Sequence, residues 1–263
     1  MKKWTFLFAG FFMLACNNEG NKSAESKVTF SDLVAENLKG DISSIEETPY
    51  QTDSTGKIGA MDSCCIALTE YDENGNVVKY TTKDSKGTLK EEGTITRYEN
   101  GMWKGQKNMK DGKINNSIET SMDDKGMYTG ALAYDSTGKL EFYYTGLSQN
   151  EQGQITSWKQ YDKDSVFRVE GANTYDKYKQ LSYTMKDSVG KVRNSGTTKY
   201  NDKGEQVENS NTNVTKDSTT TTVTKYTYET YDDMGNWTQR TTFNDKGKAT
   251  KITKRVYAYR KKE

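Results

Sequence analysis

Any chemistry in this chain must be done without histidine, since none occurs among its 263 residues. That excludes Ser-His-Asp and Cys-His catalysis and removes the commonest ligand of a catalytic zinc site. Acidic residues are abundant and recur in runs such as Tyr71-Asp-Glu-Asn-Gly75 and Tyr231-Asp-Asp-Met-Gly-Asn-Trp237. None of these runs continues as the Asp-x-Asp-x-Asp-Gly order with a closing bidentate Glu that a calcium loop requires. The acids read instead as turn openers that hydrogen-bond their own backbone, and neither a metal nor a cofactor is expected. Cys64-Cys65 is an adjacent pair in an expected strand, so its two side chains point to opposite faces. Structural thiols are expected there, a strained vicinal disulfide being the alternative. Trp158 lies five residues after Gly153, out of phase with Trp103 and Trp237. With Tyr143, Tyr144 and Tyr161 it forms the candidate stacking platform for a ligand, against the plainer reading of core or edge packing.

The elements that carry these residues follow from the turn unit, an aromatic, an Asp/Asn-rich pair and a glycine, which suits a β-hairpin loop. Turn glycines fall at 56, 75, 87, 101, 112, 126, 138, 153, 190, 204, 235 and 247, and the spacing places glycine-free turns near Asp164-Ser165, Tyr178-Lys179 and Asp217. Taken alternately, turns repeat every 25 to 27 residues, so each repeat of about 26 holds two strands of about eight residues. Glycines 146, 171 and 196 keep a 25-residue step inside strands, as bulges or points of sheet coiling would. Two residues after the turn glycine stand Ile58, Val77, Leu89, Trp103, Ile114, Tyr128, Leu140, Ile155, Val192, Trp237 and Ala249, with Gln206 the exception. A composition of 32% hydrophobic residues would supply about four such matches by chance. The column therefore reads as an inward stack across strands. The expected fold is all-β: a long antiparallel meander of roughly sixteen strands over 41–263, coiled or curled. One short helix lies within 28–40, with Ser31 as cap and Leu33, Val34 and Leu38 on one face, plugging an end.

The first residues carry an address. Lys2 and Lys3 precede an apolar run from Trp4 to Ala15, and Cys16 follows. That run of 12 is too short to span a bilayer and fits the apolar region of a signal peptide. Met13-Leu14-Ala15-Cys16 resembles the lipobox of bacterial lipoproteins, with Met13 where Leu is usual. The resemblance implies removal of 1–15, lipidation of Cys16 and a polar tether over 16–27. Asn17 in place of Asp implies the outer membrane, on either face. The formal charge of +1 becomes −1 without Lys2 and Lys3, and no basic block invites nucleic acid.

Tyr-Asp-x-x-Gly-Asn in series resembles the YD repeats of RHS proteins, and MORN repeats are a weaker likeness. The chain is also similar to a family of repeat lipoproteins of Gram-negative bacteria. Leu38-Lys39-Gly40 with Glu47-Thr48-Pro49-Tyr50 matches that family's opening pattern, and Gly235 to Arg240 with Lys254-Arg-Val-Tyr-Ala-Tyr259 its close. What this implies is a β-repeat body without a known reaction: a non-enzymatic, lipid-anchored envelope protein offering a sheet surface to a protein or glycan. The alternatives are an RHS-like shell serving a toxin or secretion partner, and an envelope hydrolase. The hydrolase needs two carboxylates about 5 to 9.5 Å apart, and no pair is marked in the sequence.

Overall fold

The computed structural model describes residues 31–261. Cys16, the leader and the expected tether lie outside the described residues. Seventeen strands alternate with short turns. The first are β1 (Ile42–Thr52), the short β2 (Ile58–Met61), β3 (Ile66–Tyr71), β4 (Val77–Lys83), β5 (Leu89–Arg97) and β6 (Trp103–Lys110). Then come β7 (Lys113–Met122), β8 (Tyr128–Tyr134), β9 (Leu140–Gln149), β10 (Ile155–Asp162), β11 (Phe167–Asp176) and β12 (Lys179–Asp187). The chain closes with β13 (Val192–Tyr200), β14 (Gln206–Val214), β15 (Thr219–Tyr231), β16 (Trp237–Phe243) and β17 (Ala249–Tyr259).

From β3 onward every strand pairs antiparallel with the next, as in β5–β6, β9–β10 and β16–β17. The ends then meet. β17 pairs with β1 from Ile42 opposite Tyr259 to Gln51 opposite Lys251, and β1 pairs with β3 from Ser44 opposite Glu70 to Glu47 opposite Ala67. The result is a closed barrel of sixteen wall strands, with β2 folded beside the far end of β1. This corrects the expectation of a coiled or curled meander. The turn period sets which neighbours pair, but closure depends on accumulated twist and on the two terminal strands matching each other. Closure removes both edges, which an open sheet of this length would leave unpaired.

Turn chemistry explains the connections. Asp232 Oδ1 accepts the N–H groups of Met234 (3.0 Å) and Asn236 (2.8 Å), while Gly235 takes φ +80°. Where glycine is missing, Ser165 and Lys177 adopt left-handed φ of 62° and 52°, and Thr215 and Ser218 close the remaining turn. Alternate turns lie at opposite rims, and the rims differ in composition. At one rim the second turn residue is acidic (Glu73, Glu99, Asp124, Glu151, Asp202, Asp233); at the other it is serine at 54, 85, 136 and 188, lysine at 163 and aspartate at 245, so both rims carry acids.

The expected helix is a single turn, Asp32–Ala35, and Ser31 makes no side-chain cap bond. Leu33 and Leu38 are buried, whereas Val34 is 45% exposed and does not share their face. The segment crosses the mouth at the rim formed by the turns of Gly75, Gly204 and Gly235. Leu33 N–H donates to the Gly75 carbonyl (3.1 Å), the Asn37 side chain to the Lys203 carbonyl (2.7 Å), and Lys39 N–H to Asn236 Oδ1 (2.8 Å). At Gly75 an added Cβ would stand 2.9 Å from Ser31 Oγ, so a side chain there would displace the plug.

The apolar column divides between the two ends. At the plugged end Trp103, Tyr128, Ile155 and Trp237 are buried, and Val77 packs beside Leu33 and Tyr71. At the open end Ile58, Leu89 and Ile114 are each more than 40% exposed. The same residue phase gives core only where the N-terminal segment covers it. The mid-strand glycines are also corrected: Gly171 and Gly196 lie beneath the rings of Trp158 and Tyr183, which a Cβ would strike, while only Gly146 (φ +60°) marks a bulge.

Candidate binding lumen

Residues touching the crossing segment identify the inner face, and strand alternation carries that assignment around the wall. Arg255 of β17 lies between Glu47 of β1 (2.6 Å) and Glu36 of the plug (4.0 Å). Its guanidinium covers the Trp237 ring at 3.9 Å, and Arg240 approaches the same ring at 4.8 Å. Across the mouth, Asp32 accepts from Arg97 (2.6 Å) and from the Val77 N–H (2.5 Å). Every acid brought inside by the plug therefore meets a guanidinium.

Burial pushes the Glu36 carboxyl up, against the pull of Arg255. For Glu47 burial also acts upward, but Arg255, with Arg240 and Lys251, outweighs it and holds the group below its ordinary value. Burial raises Asp32 to about 7 from 3.8, although Arg97 and the Val77 N–H oppose it. Between those values the folded chain binds more protons at Asp32 than the unfolded chain does, so its contribution to stability falls as pH rises from about 4 to 7. Denaturant unfolding of wild type and Asp32→Asn across this range should show the wild type losing ground to the variant as pH rises. A constant difference would mean that Asp32 titrates normally.

Tyrosines close the bulges that follow the plugged-end turns. The hydroxyls of Tyr175, Tyr228 and Tyr257 donate to the carbonyls of Ile155 (3.1 Å), Gln206 (2.7 Å) and Trp237 (2.7 Å). Each acceptor is the first residue of its strand, where the register shifts and a carbonyl leaves the ladder. The Tyr-rich composition is thus partly a device for satisfying backbone. On the β4–β7 wall a further network fills the interior: Tyr80 donates to Asn108 (2.6 Å), Gln106 to Tyr80 (2.9 Å), and Asn108 to Asn116 (2.6 Å).

The four residues expected to make one platform fall on two faces. Tyr143 and Tyr161 are outside, with rings stacked at 5.3 Å and 11°, and Phe167 continues the row at 5.4 Å. Trp158 and Tyr144 are inside, in edge contact at 5.7 Å, and Trp158 packs against the cluster of Met102, Trp103, Tyr128 and Ile155. The joint platform is therefore corrected. The β9 bulge at Gly146 and the β10 bulge after Ile155 shift the phase that made Trp158 look outward. Cys64 and Cys65 form a vicinal disulfide in the exposed bend between β2 and β3, not structural thiols within a strand.

The outer wall is polar and charged at mid-strand. Lys79 pairs with Glu92 (2.8 Å), Lys199 with Glu208 (2.7 Å), and Lys186 with Glu170 (3.5 Å). Lys107, Lys159, Lys225 and Lys254 occupy outward positions of the same register.

A closed antiparallel barrel with one end occupied by its own N-terminal segment is the class that this geometry defines. No protein-family model matches the chain, and no curated protein matches it in sequence. Among solved structures it is similar to a porin-like protein from Bacteroides uniformis, at 13% identity and TM-score 0.51, over 84% of this chain and 99% of that one. A porin-like protein from Bacteroides vulgatus aligns at 13% identity over 82% of this chain and 98% of that one, with a TM-score of 0.33. The first likeness establishes the barrel fold; the second is too distant to argue from.

Proposed function

We propose that the chain is a non-enzymatic, lipid-anchored barrel of the bacterial cell envelope, held at the outer membrane through Cys16 and bathed by water on both faces of its wall. It is a cup closed at the tethered end, offering its interior and outer sheet to a glycan or protein. The observation that carries this reading is the charged outer wall. A lysine at the midplane of a barrel's lipid face costs about 2–4 kcal/mol. Lysines 79, 107, 159, 199, 225 and 254 face outward, and each one lying at bilayer mid-depth would carry that cost against a domain stability of about 5–15 kcal/mol. The porin-like likeness supports the envelope address, and the lipobox-like Met13-Leu14-Ala15-Cys16 supplies an anchor that the wall does not.

Cys16→Ser tests the anchor. Cells making the variant should release the protein into the soluble fraction while wild type sediments with membranes. Equal sedimentation of both would refute anchoring at Cys16.

A further inference from the structure

Strand β14 spends its inward positions on a residue type that strands disfavour. Asn209, Asn211 and Asn213 alternate inward, while Glu208, Ser210 and Thr212 alternate outward. The register sets each asparagine against a threonine of β15: Asn209 opposite Thr224, Asn211 opposite Thr222, and Asn213 opposite Thr220. On the other side Asn194 of β13 stands opposite Asn213. Asparagine is depleted in strands, so three in register on one face work against the fold unless something compensates.

Within the described residues the ladder is partnered at Asn211 alone. On the opposite wall Asn108 and Asn116 are hydrogen-bonded to each other and to the Tyr80 network. In the ladder Asn211 meets the Tyr183 hydroxyl. Among the described residues, no side-chain hydrogen bond to another protein group holds Asn194, Asn209 or Asn213. These amides line one side of an open concavity on the inner wall together with Thr220, Thr222 and Thr224, and Asn211, Asn213, Thr220 and Thr222 stand exposed in it. The ladder runs about 14 Å from Asn209 to Asn213. No charged side chain lines the concavity.

Resting on the binding reading above, we infer that the Asn/Thr ladder of β13–β15 is a binding site for a neutral, polyhydroxylated ligand, an oligosaccharide several rings long. Each asparagine offers a donor and an acceptor on one plane, which matches neighbouring hydroxyls, and threonine supplies both in one group. An anionic sugar would find no countercharge in this lining. The Tyr183 ring, laid over Gly196 beside Asn211, gives the site an apolar edge for a sugar face.

The test is calorimetric titration of the mature lipoprotein, in a detergent without a sugar headgroup, with cellotetraose, maltotetraose, chitotetraose and tetragalacturonate. At least one neutral tetrasaccharide should bind and tetragalacturonate should not. Asn211→Leu and the near-isosteric Asn213→Asp should each weaken binding about tenfold, the loss of one or two neutral hydrogen bonds. Thr212→Val, outward on the same strand, should leave it unchanged, and melting curves confirm that each variant folds. No neutral binding, equal binding of tetragalacturonate, or binding that survives both ladder substitutions overturns the assignment. If binding survives them but disappears in Tyr161→Ala, the sugar sits on the outer row; the ladder is then refuted while the envelope-binding reading stands. Capture of an envelope protein without any sugar affinity has the same meaning.

Discussion

Trp237→Ala is expected to destabilise the barrel by about 3–5 kcal/mol, the transfer and cavity cost of a buried tryptophan. Trp237 is 8% exposed. Its ring is covered by Arg255 at 3.9 Å, approached by Arg240 at 4.8 Å, and tilted against Tyr228 at 5.6 Å. Removing it leaves two guanidinium groups over a void as well as an empty pocket. Because Trp237 opens β16 and its carbonyl receives Tyr257, protection against proteolysis should be lost first in β15–β17. Trp158→Ala should cost less, since Trp158 is only partly buried and retains water on one side. Chemical denaturation of both variants decides the matter. Equal stability of Trp237→Ala and wild type would mean that its face is not the packed one.

Arg255→Met carries the second large effect. The substitution keeps the volume of the stem but leaves Glu47 and Glu36 inside the plugged end without their shared cation. Breaking a buried pair by removing one partner costs about 3–5 kcal/mol, and the low end is expected here because both carboxylates keep some contact with water. The side chains of Glu36 and Glu47 are 30% and 31% exposed, against 13% for Arg255. Neutralising all three groups together, as Arg255→Met with Glu36→Gln and Glu47→Gln, should recover most of the loss. Urea unfolding of the single and triple variants measures it. A single variant as stable as wild type would show that the plug is held by Leu33, Leu38, the Asp32–Arg97 pair and the turn hydrogen bonds without Arg255.

Much of the wall was legible from residue spacing. Asp or Asn followed by glycine fixes where a chain of strands turns, and the 26-residue double period marks alternate turns that lie at opposite ends of a strand. Even Ser165 and Lys177 fall near where the spacing requires a turn without glycine. Closure was not legible, because the contact between β1 and β17 depends on the twist of the strands between them and leaves no periodic trace. For the same reason the apolar column looked uniform. Whether Leu89 or Trp103 becomes core depends on which mouth the N-terminal segment covers, a contact made across the barrel.

The candidate site was harder to read than the frame. Tyr143 and Tyr144 are adjacent, so strand alternation alone puts them on opposite faces, and Trp158 could be assigned only with knowledge of two bulges. The asparagine ladder stood in plain view at positions 209, 211 and 213, beside a threonine run at 219–222 that reads by itself as strand. Its signal is the conflict between a period-two pattern and a residue that strands disfavour. That conflict gains meaning once register shows the ladder facing the lumen.

Liposome swelling most directly tests the central claim, that this is a plugged, water-facing cup rather than a membrane-spanning pore. Full-length lipoprotein reconstituted into vesicles and diluted into isotonic arabinose should give no more swelling than empty vesicles, because the wall does not enter lipid. Swelling that rises with the amount of protein, and persists in Cys16→Ser, would show a barrel that spans the bilayer and would contradict the account.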